Sequence, residues 1–243
     1  MPKVVGKTDI GMIRKQNQDS YQCGLLPDGA AWAVVCDGMG GEVGGEVASS
    51  LAVESITGSI TRSYRGEMTA NYIRTMLLSA ISAANIRVYD KAKSDKTLSK
   101  MGTTVVTAVV KDTIAHIAYA GDSRVYRITG EKVEQLTRDH TMVQALVERG
   151  EITSDQAKNH PQKHVITRAL GVEQGVDIDY LEAGSKPGDV LMICTDGLTN
   201  YVEAGEIAQI VRDYGKDECL DKLIDAANSR GGTDNITIVA IFG

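Results

Sequence analysis

Four aspartates stand next to glycine or one residue from it, where an apolar run stops or starts. Trp32-Ala33-Val34-Val35-Cys36 runs into Asp37-Gly38-Met39-Gly40-Gly41, Leu191-Met192-Ile193-Cys194-Thr195 into Asp196-Gly197, and Ala118-Tyr119-Ala120-Gly121 into Asp122-Ser123-Arg124. The order is reversed in Gly231-Gly232-Thr233-Asp234-Asn235, which leads into an apolar run ending at Phe242. If these runs are strands of packed sheets, their ends bring four carboxylates to one edge. Clustered carboxylates repel one another unless a cation lies among them. An all-oxygen set without His or Cys suits a hard ion, magnesium or manganese, rather than zinc. The glycines let a carbonyl or a water approach such an ion without a Cβ in the way. One Asp-Gly pair alone is an ordinary turn former; turns do not require the apolar run to break at aspartate each time.

Two other chemistries fit the residues less well. Gly38-Met39-Gly40-Gly41-Glu42-Val43-Gly44-Gly45 follows a strand and opens a helix, as a dinucleotide loop does. The G-x-G-x-x-G spacing fails at Val43, Asp37 would repel a pyrophosphate, and no Gly-Lys-Ser/Thr follows to make a Walker loop. Cysteine-based phosphatase chemistry needs C-x5-R, and the residues six beyond Cys23, Cys36, Cys194 and Cys219 are Gly29, Glu42, Asn200 and Asp225.

The elements that must position these residues come from periodicity. Short runs rich in Val, Ile and Thr predict strands at Ala31–Cys36, Thr103–Val110, Thr113–Ala120, Arg124–Thr129, Val190–Cys194 and Asn235–Phe242. Lys111-Asp112 suits a hairpin, and Gly121-Asp122 suggests that Arg124–Thr129 continues an antiparallel meander. Apolar stripes predict helices through Ile73, Met76, Leu77, Ala80, Ile81, Ala84 and Val88, and through Val47, Ala48, Leu51, Ala52 and Ile56. Two more precede the last strand, through Ile207, Ile210, Val211 and Tyr214, and through Cys219, Leu220, Leu223, Ile224 and Ala227. Helices segregated from antiparallel strands read as an α+β fold, sheets packed together with helices outside. Residues 138–168 break the scheme: they are polar, hold three of the four histidines (His140, His160, His164), and read as a flap.

Composition bounds the rest. The 243 residues carry 26 basic and 32 acidic side chains, a formal charge of -6, which disfavours nucleic acid as a general partner. A hydrophobic fraction of 42% in a chain of this length is enough for a full core and argues against disorder. With four prolines and no low-complexity linker, residues 1–243 read as one domain. No run approaches the ~18 apolar residues of a membrane span, and Met1-Pro2-Lys3-Val4-Val5-Gly6 is too polar for a signal peptide. The expectation is a cytoplasmic chain, monomeric because the proposed stripes and strands account for its apolar residues. Cysteine spacing supports neither a disulfide framework nor structural zinc; Cys36 and Cys194 read as buried small hydrophobes.

Taken in order, the motifs resemble the metal-dependent protein phosphatase family (protein phosphatase type 2C, PPM) in its compact bacterial form. The resemblance rests on Thr8-Asp9-Ile10-Gly11, Arg14 through Asp19, Asp37 through Gly41, Gly102-Thr103-Thr104, Gly121 through Arg124, Leu136-Thr137-Arg138-Asp139-His140, Thr195-Asp196-Gly197 and Gly232-Thr233-Asp234-Asn235. It implies a four-layer α-β-β-α sandwich of two antiparallel sheets flanked by helix pairs, with a flap near the site. It implies that Asp37 bridges two Mn2+ or Mg2+ ions, that the Gly38 carbonyl completes one shell, and that Asp196 and Asp234 complete the other. Asp122 with Asp196 would serve a further, weaker ion. Arg14, by itself read as a solvated surface residue, would clamp the substrate phosphate. Asp19 would support the ions through water. The implied partners are phosphorylated serine/threonine proteins and a membrane-anchored kinase that the enzyme opposes. The other reading is a catalytically impaired relative that binds phosphoproteins as a regulatory module; such modules lose metal aspartates, and all four are present here. Where relatives carry His within or just after the signature, this chain has Met39 and Glu42, so the proton donor to the leaving group is open between Glu42, a flap histidine and a metal-bound water.

Overall fold

Alternation of apolar residues along strands that are buried on both faces builds two sheets and three layers of core. A computed structural model describes residues 2–243, with the side chain of Glu42 outside the described set. In chain order the strands are β1 (Lys3–Asp9), β2 (Asp19–Leu25), β3 (Ala31–Met39), β4 (Gly102–Thr103), β5 (Val105–Lys111), β6 (Ile114–Ala120), β7 (Arg124–Thr129), β8 (Lys132–Gln135), β9 (Asp179–Gly184), β10 (Val190–Cys194) and β11 (Ile236–Phe242). The helices are α1 (Gly41–Ser63), α2 (Ala70–Ser94), α3 (Met142–Glu148), α4 (Ser154–Lys158), α5 (Asp196–Thr199) and α6 (Ala204–Ser229). One antiparallel sheet runs β1-β11-β10-β7-β8; the other runs β2-β3-β5-β6-β9, with β4 on the end of β3.

β3 shows how the layers arise. Ala31, Ala33 and Val35 pack between the sheets with Val125, Ile193 and Val239. Trp32, Val34 and Cys36 face the other way, onto Ile56 and Ile60 of α1 and Leu77 and Ile81 of α2. The first sheet turns Met192, Ile238 and Ala240 toward Ile207, Leu223 and Ile224 of α6. This is the expected α-β-β-α order. Cys36 and Cys194 are fully buried and all four cysteines are free.

Three expectations need correction. β7 does not continue the β5–β6 meander: it pairs with β10 in the opposite sheet. The chain changes sheets at Gly121, whose φ of 122° most side chains avoid, and this crossing puts Asp122 at the edge between the sheets. The predicted strand Thr103–Val110 is two strands, because Thr104 leaves the ladder to bond the Asp37 backbone in both directions (2.8 and 3.0 Å). The two expected C-terminal helices are present, written together as α6 and parted by the non-helical Gly215 (φ 60°), but Tyr214 beside that break is exposed rather than part of the apolar stripe.

Candidate active site

All four aspartates meet at one end of the sandwich. Asp37 ends the apolar run of β3, Asp122 sits in the crossing turn before β7, Asp196 opens α5 directly after β10, and Asp234 precedes β11. They line a single cavity of about 1030 Å³ together with Arg14, Gln18, Gly38, His164 and Ile166. Asp19 lies underneath, at 7% exposure, facing Asp37 in the β2–β3 register. Its Oδ2 accepts from the Thr195 hydroxyl at 2.9 Å.

The glycines beside the aspartates act here through packing of backbone on backbone. A Cβ on Gly38 would lie 2.0 Å from the Gly45 carbonyl oxygen of α1 and 2.5 Å from that of Gln18. One on Gly197 would lie 2.0 Å from the Asn235 carbonyl oxygen. Asn235 in turn accepts from the Gln18 N–H (2.8 Å) and donates to the carbonyls of Ile10 and Gln16 (2.9 and 3.0 Å). It therefore fixes the loop that carries Arg14. The Arg14 guanidinium reaches the acidic edge, with Nη2 donating to Asp234 at 2.8 Å and Nε to the Thr233 carbonyl at 3.3 Å.

The carboxylates act on one another. Burial pushes Asp37 well above the usual carboxylate range, and the charges of Asp19, Asp196, Asp122 and Asp234 push it further. Burial, then Asp196, raises Asp122 to about 7. Asp196 is raised by burial and by Asp234. Asp19 reaches about 7, mainly through burial, with Asp196 and Asp234 contributing. Carboxylates that oppose one another's ionisation this strongly are relieved by a cation. The donor set, carboxylate and carbonyl oxygens without sulfur, fits magnesium or manganese. Among the described residues no three His, Cys, Asp or Glu side chains converge tightly enough to hold an ion as they stand; Arg14 supplies positive charge to Asp234, and Asn200 donates to Asp196 at 3.1 Å.

The sequence offered a flap histidine as one candidate proton donor without singling one out. The flap, an excursion between β8 and β9 that carries α3 and α4, brings His164 to the cavity wall. Only the folded path of residues 138–168 puts it there, so no spacing signal could have found it. His140 is buried and bonded at the flap base, and Nδ1 of His160 accepts from the Gln162 N–H on an exposed loop. The side chain of Glu42, the other residue offered as a proton donor, is outside the described set.

Comparison with known proteins gives one consistent result. The protein phosphatase 2C family model matches residues 14–233. The serine/threonine phosphatase stp of Listeria innocua is 38% identical over 236 residues, covering 97% of this chain and 93% of that protein. The solved structure of the S. agalactiae serine/threonine phosphatase superposes with a TM-score of 0.93 at 32% identity, covering 100% and 99% of the two chains. The catalytic domain of the serine/threonine protein phosphatase PstP, solved with two manganese ions, superposes at 0.84 with 28% identity, again over 100% and 99%.

Proposed function

The chain belongs to the protein phosphatase 2C family, and we propose that it is a metal-dependent serine/threonine protein phosphatase that hydrolyses phosphoserine and phosphothreonine directly with water. The observation that carries the reading is the cavity wall: Asp37, Asp122, Asp196 and Asp234 with Arg14 around one space large enough for a phosphorylated side chain and its neighbours. Asp37, the Gly38 carbonyl, Asp196 and Asp234 would hold two manganese or magnesium ions, and Asp122 with Asp196 a weaker one. Ions held there would supply an activated water and positive charge for the phosphoryl oxygens.

The chain's own groups do the rest. Arg14 exchanges Asp234 for the phosphate, to which its planar fork can donate twice. Asp19, buried and bonded by Thr195, would support the ions through water. His164 reaches the cavity from the flap and gives a proton to the departing alkoxide, the role that Met39 leaves open. Residues 1–243 act as one catalytic domain. The setting is a bacterial cytoplasm, where the enzyme works as a monomer against a serine/threonine kinase; no helix among the described residues is long and apolar enough to cross a membrane.

The decisive experiment is hydrolysis of a phosphothreonine peptide in EDTA and then across titrations with manganese and with magnesium. Activity absent in EDTA and restored by metal supports the reading. A folded protein inactive at every metal concentration overturns it in favour of a phosphoprotein-binding module.

A further inference from the structure

We propose that His140 is a positioning residue that couples the flap to Asp122. The inference rests on the phosphatase reading for what Asp122 does, and on geometry for how it is held.

The turn that carries Asp122 is clasped by the residues that begin the flap. The His140 N–H donates to the Gly121 carbonyl at 2.9 Å, and the Gly121 N–H donates back to His140 Nδ1 at 3.1 Å. Both polar groups of the residue before Asp122 are thus held by one histidine. On the other side of Asp122, Ser123 Oγ lies 2.9 Å from Thr104 Oγ, and Arg124 makes three bonds of 2.6–3.1 Å to the Asp139 carboxylate. Gly121 has little room to move, since a Cβ there would lie 2.6 Å from that of Thr104.

Nδ1 accepts from Gly121, and Nε2 lies 3.2 Å from both Asp179 Oδ2 and Arg168 Nη1. Burial favours the neutral imidazole. The ring stacks on Tyr119 with centroids 5.1 Å apart and planes 9° apart. The far end of the flap closes on the same histidine. The Thr167 N–H donates to the His140 carbonyl at 2.8 Å, Thr141 bridges to Ile166, and Arg168 Nη1 donates to Asp179 at 2.7 Å. Two residues before Thr167 the same strand-like segment carries Val165, and His164 and Ile166 on either side of it line the catalytic cavity. A displacement of this segment by a docked protein substrate therefore reaches Asp122 through Thr167, His140 and Gly121 in sequence.

Two substitutions at His140 separate its two nitrogens. His140→Asn keeps an acceptor near Nδ1; His140→Gln keeps an amide near Nε2, able to donate or accept, and gives up the Nδ1 acceptor. Hydrogen exchange across Gly121–Ser123 and calorimetric manganese titration are measured on the full chain, with thermal melts as the check on folding. His140→Gln should speed exchange at Gly121 and weaken the weakest manganese site, each by roughly tenfold, the effect of one buried hydrogen bond, and leave the tight sites unmoved. His140→Asn should stay within about threefold of wild type on both counts. Thr167→Pro removes the donor that ties the flap's far end to His140, and should weaken the same site several-fold. It also decides the matter if His140→Gln does not fold. Identical behaviour of the Asn and Gln variants, or a weak site indifferent to Thr167→Pro, overturns the coupling. A wild type that binds no manganese overturns the metal reading itself, a result distinct from wild-type binding that the variants leave unaltered.

Discussion

Burial opposes the charge on Asp37, and four other carboxylates add to that effect. Such a charge is held for function at a cost in stability. Asp37→Asn should abolish phosphopeptide hydrolysis, by at least about 100-fold, while the melting temperature of the EDTA-treated protein holds or rises; a large fall in that temperature would show that the carboxylate is structural. Arg14 and His164 make different contributions and can be told apart by kinetics. Arg14→Lys keeps the charge and loses the planar fork, so kcat/KM should fall by roughly tenfold or more for every phosphate ester. His164→Gln should act through the leaving group instead. Phosphothreonine leaves as a strongly basic alkoxide and should lose about 100-fold in kcat, within the range of general acid catalysis; p-nitrophenyl phosphate leaves as a weak base and should lose little. Equal losses on the two substrates would remove His164 from proton transfer.

The elements matter through how closely they approach. α1 docks its Gly45 carbonyl against Gly38 where no Cβ fits, so Gly38→Ala must separate helix from strand at the site itself. Overpacking of this kind costs about 1–3 kcal/mol, and a chain of this size loses roughly 2–4 °C per kcal/mol. Gly205→Ala, in the first turn of α6 with nothing within 4 Å of the added Cβ, should be neutral or stabilising by up to about 1 kcal/mol. Equal melting temperatures for the two variants would refute the close-approach argument. The same distinction explains what the sequence made legible. β7 and β10 have the predicted bounds, and the stripes of α1 and α2 lie in their helices, because these elements bury apolar side chains at a fixed period. β1, β2, β8 and β9 escaped notice because they are edge strands with half-exposed, mixed side chains. The aspartates were legible where each interrupts an apolar run. The change of sheet at Gly121, the Arg14–Asp234 pair and the arrival of His164 were not, since each depends on contacts between distant segments that leave no local period.

Across the whole molecule, the site is divided between the sheets. Asp19 and Asp37 come from one, Asp196 and Asp234 flank strands of the other, and Asp122 sits on the crossing between them. Ionising these groups without a cation therefore loads both halves of the sandwich with the same sign. Asp19 and Asp122 have folded values of about 7, above the unfolded value of about 3.9. Their stabilising contribution is that of the protonated form: it is complete below the unfolded value and is lost as pH rises through the folded one. His140 and His116, lowered chiefly by burial, work the other way, since their contribution is lost as pH falls below their unfolded value of about 6.5. In EDTA the melting temperature should therefore rise as pH falls from 8 to about 6.5, then level off or decline as the histidines charge. Manganese binds the ionised carboxylates and competes with protons for them, so its stabilisation, which grows with the ratio of free metal to Kd, should be larger at pH 8 than at pH 6.5. Saturating manganese should flatten or reverse the slope seen in EDTA. Thermal melts over this range, with and without metal, carry the test: a slope of the same sign and size in both would mean that the aspartate edge is not where the metal binds.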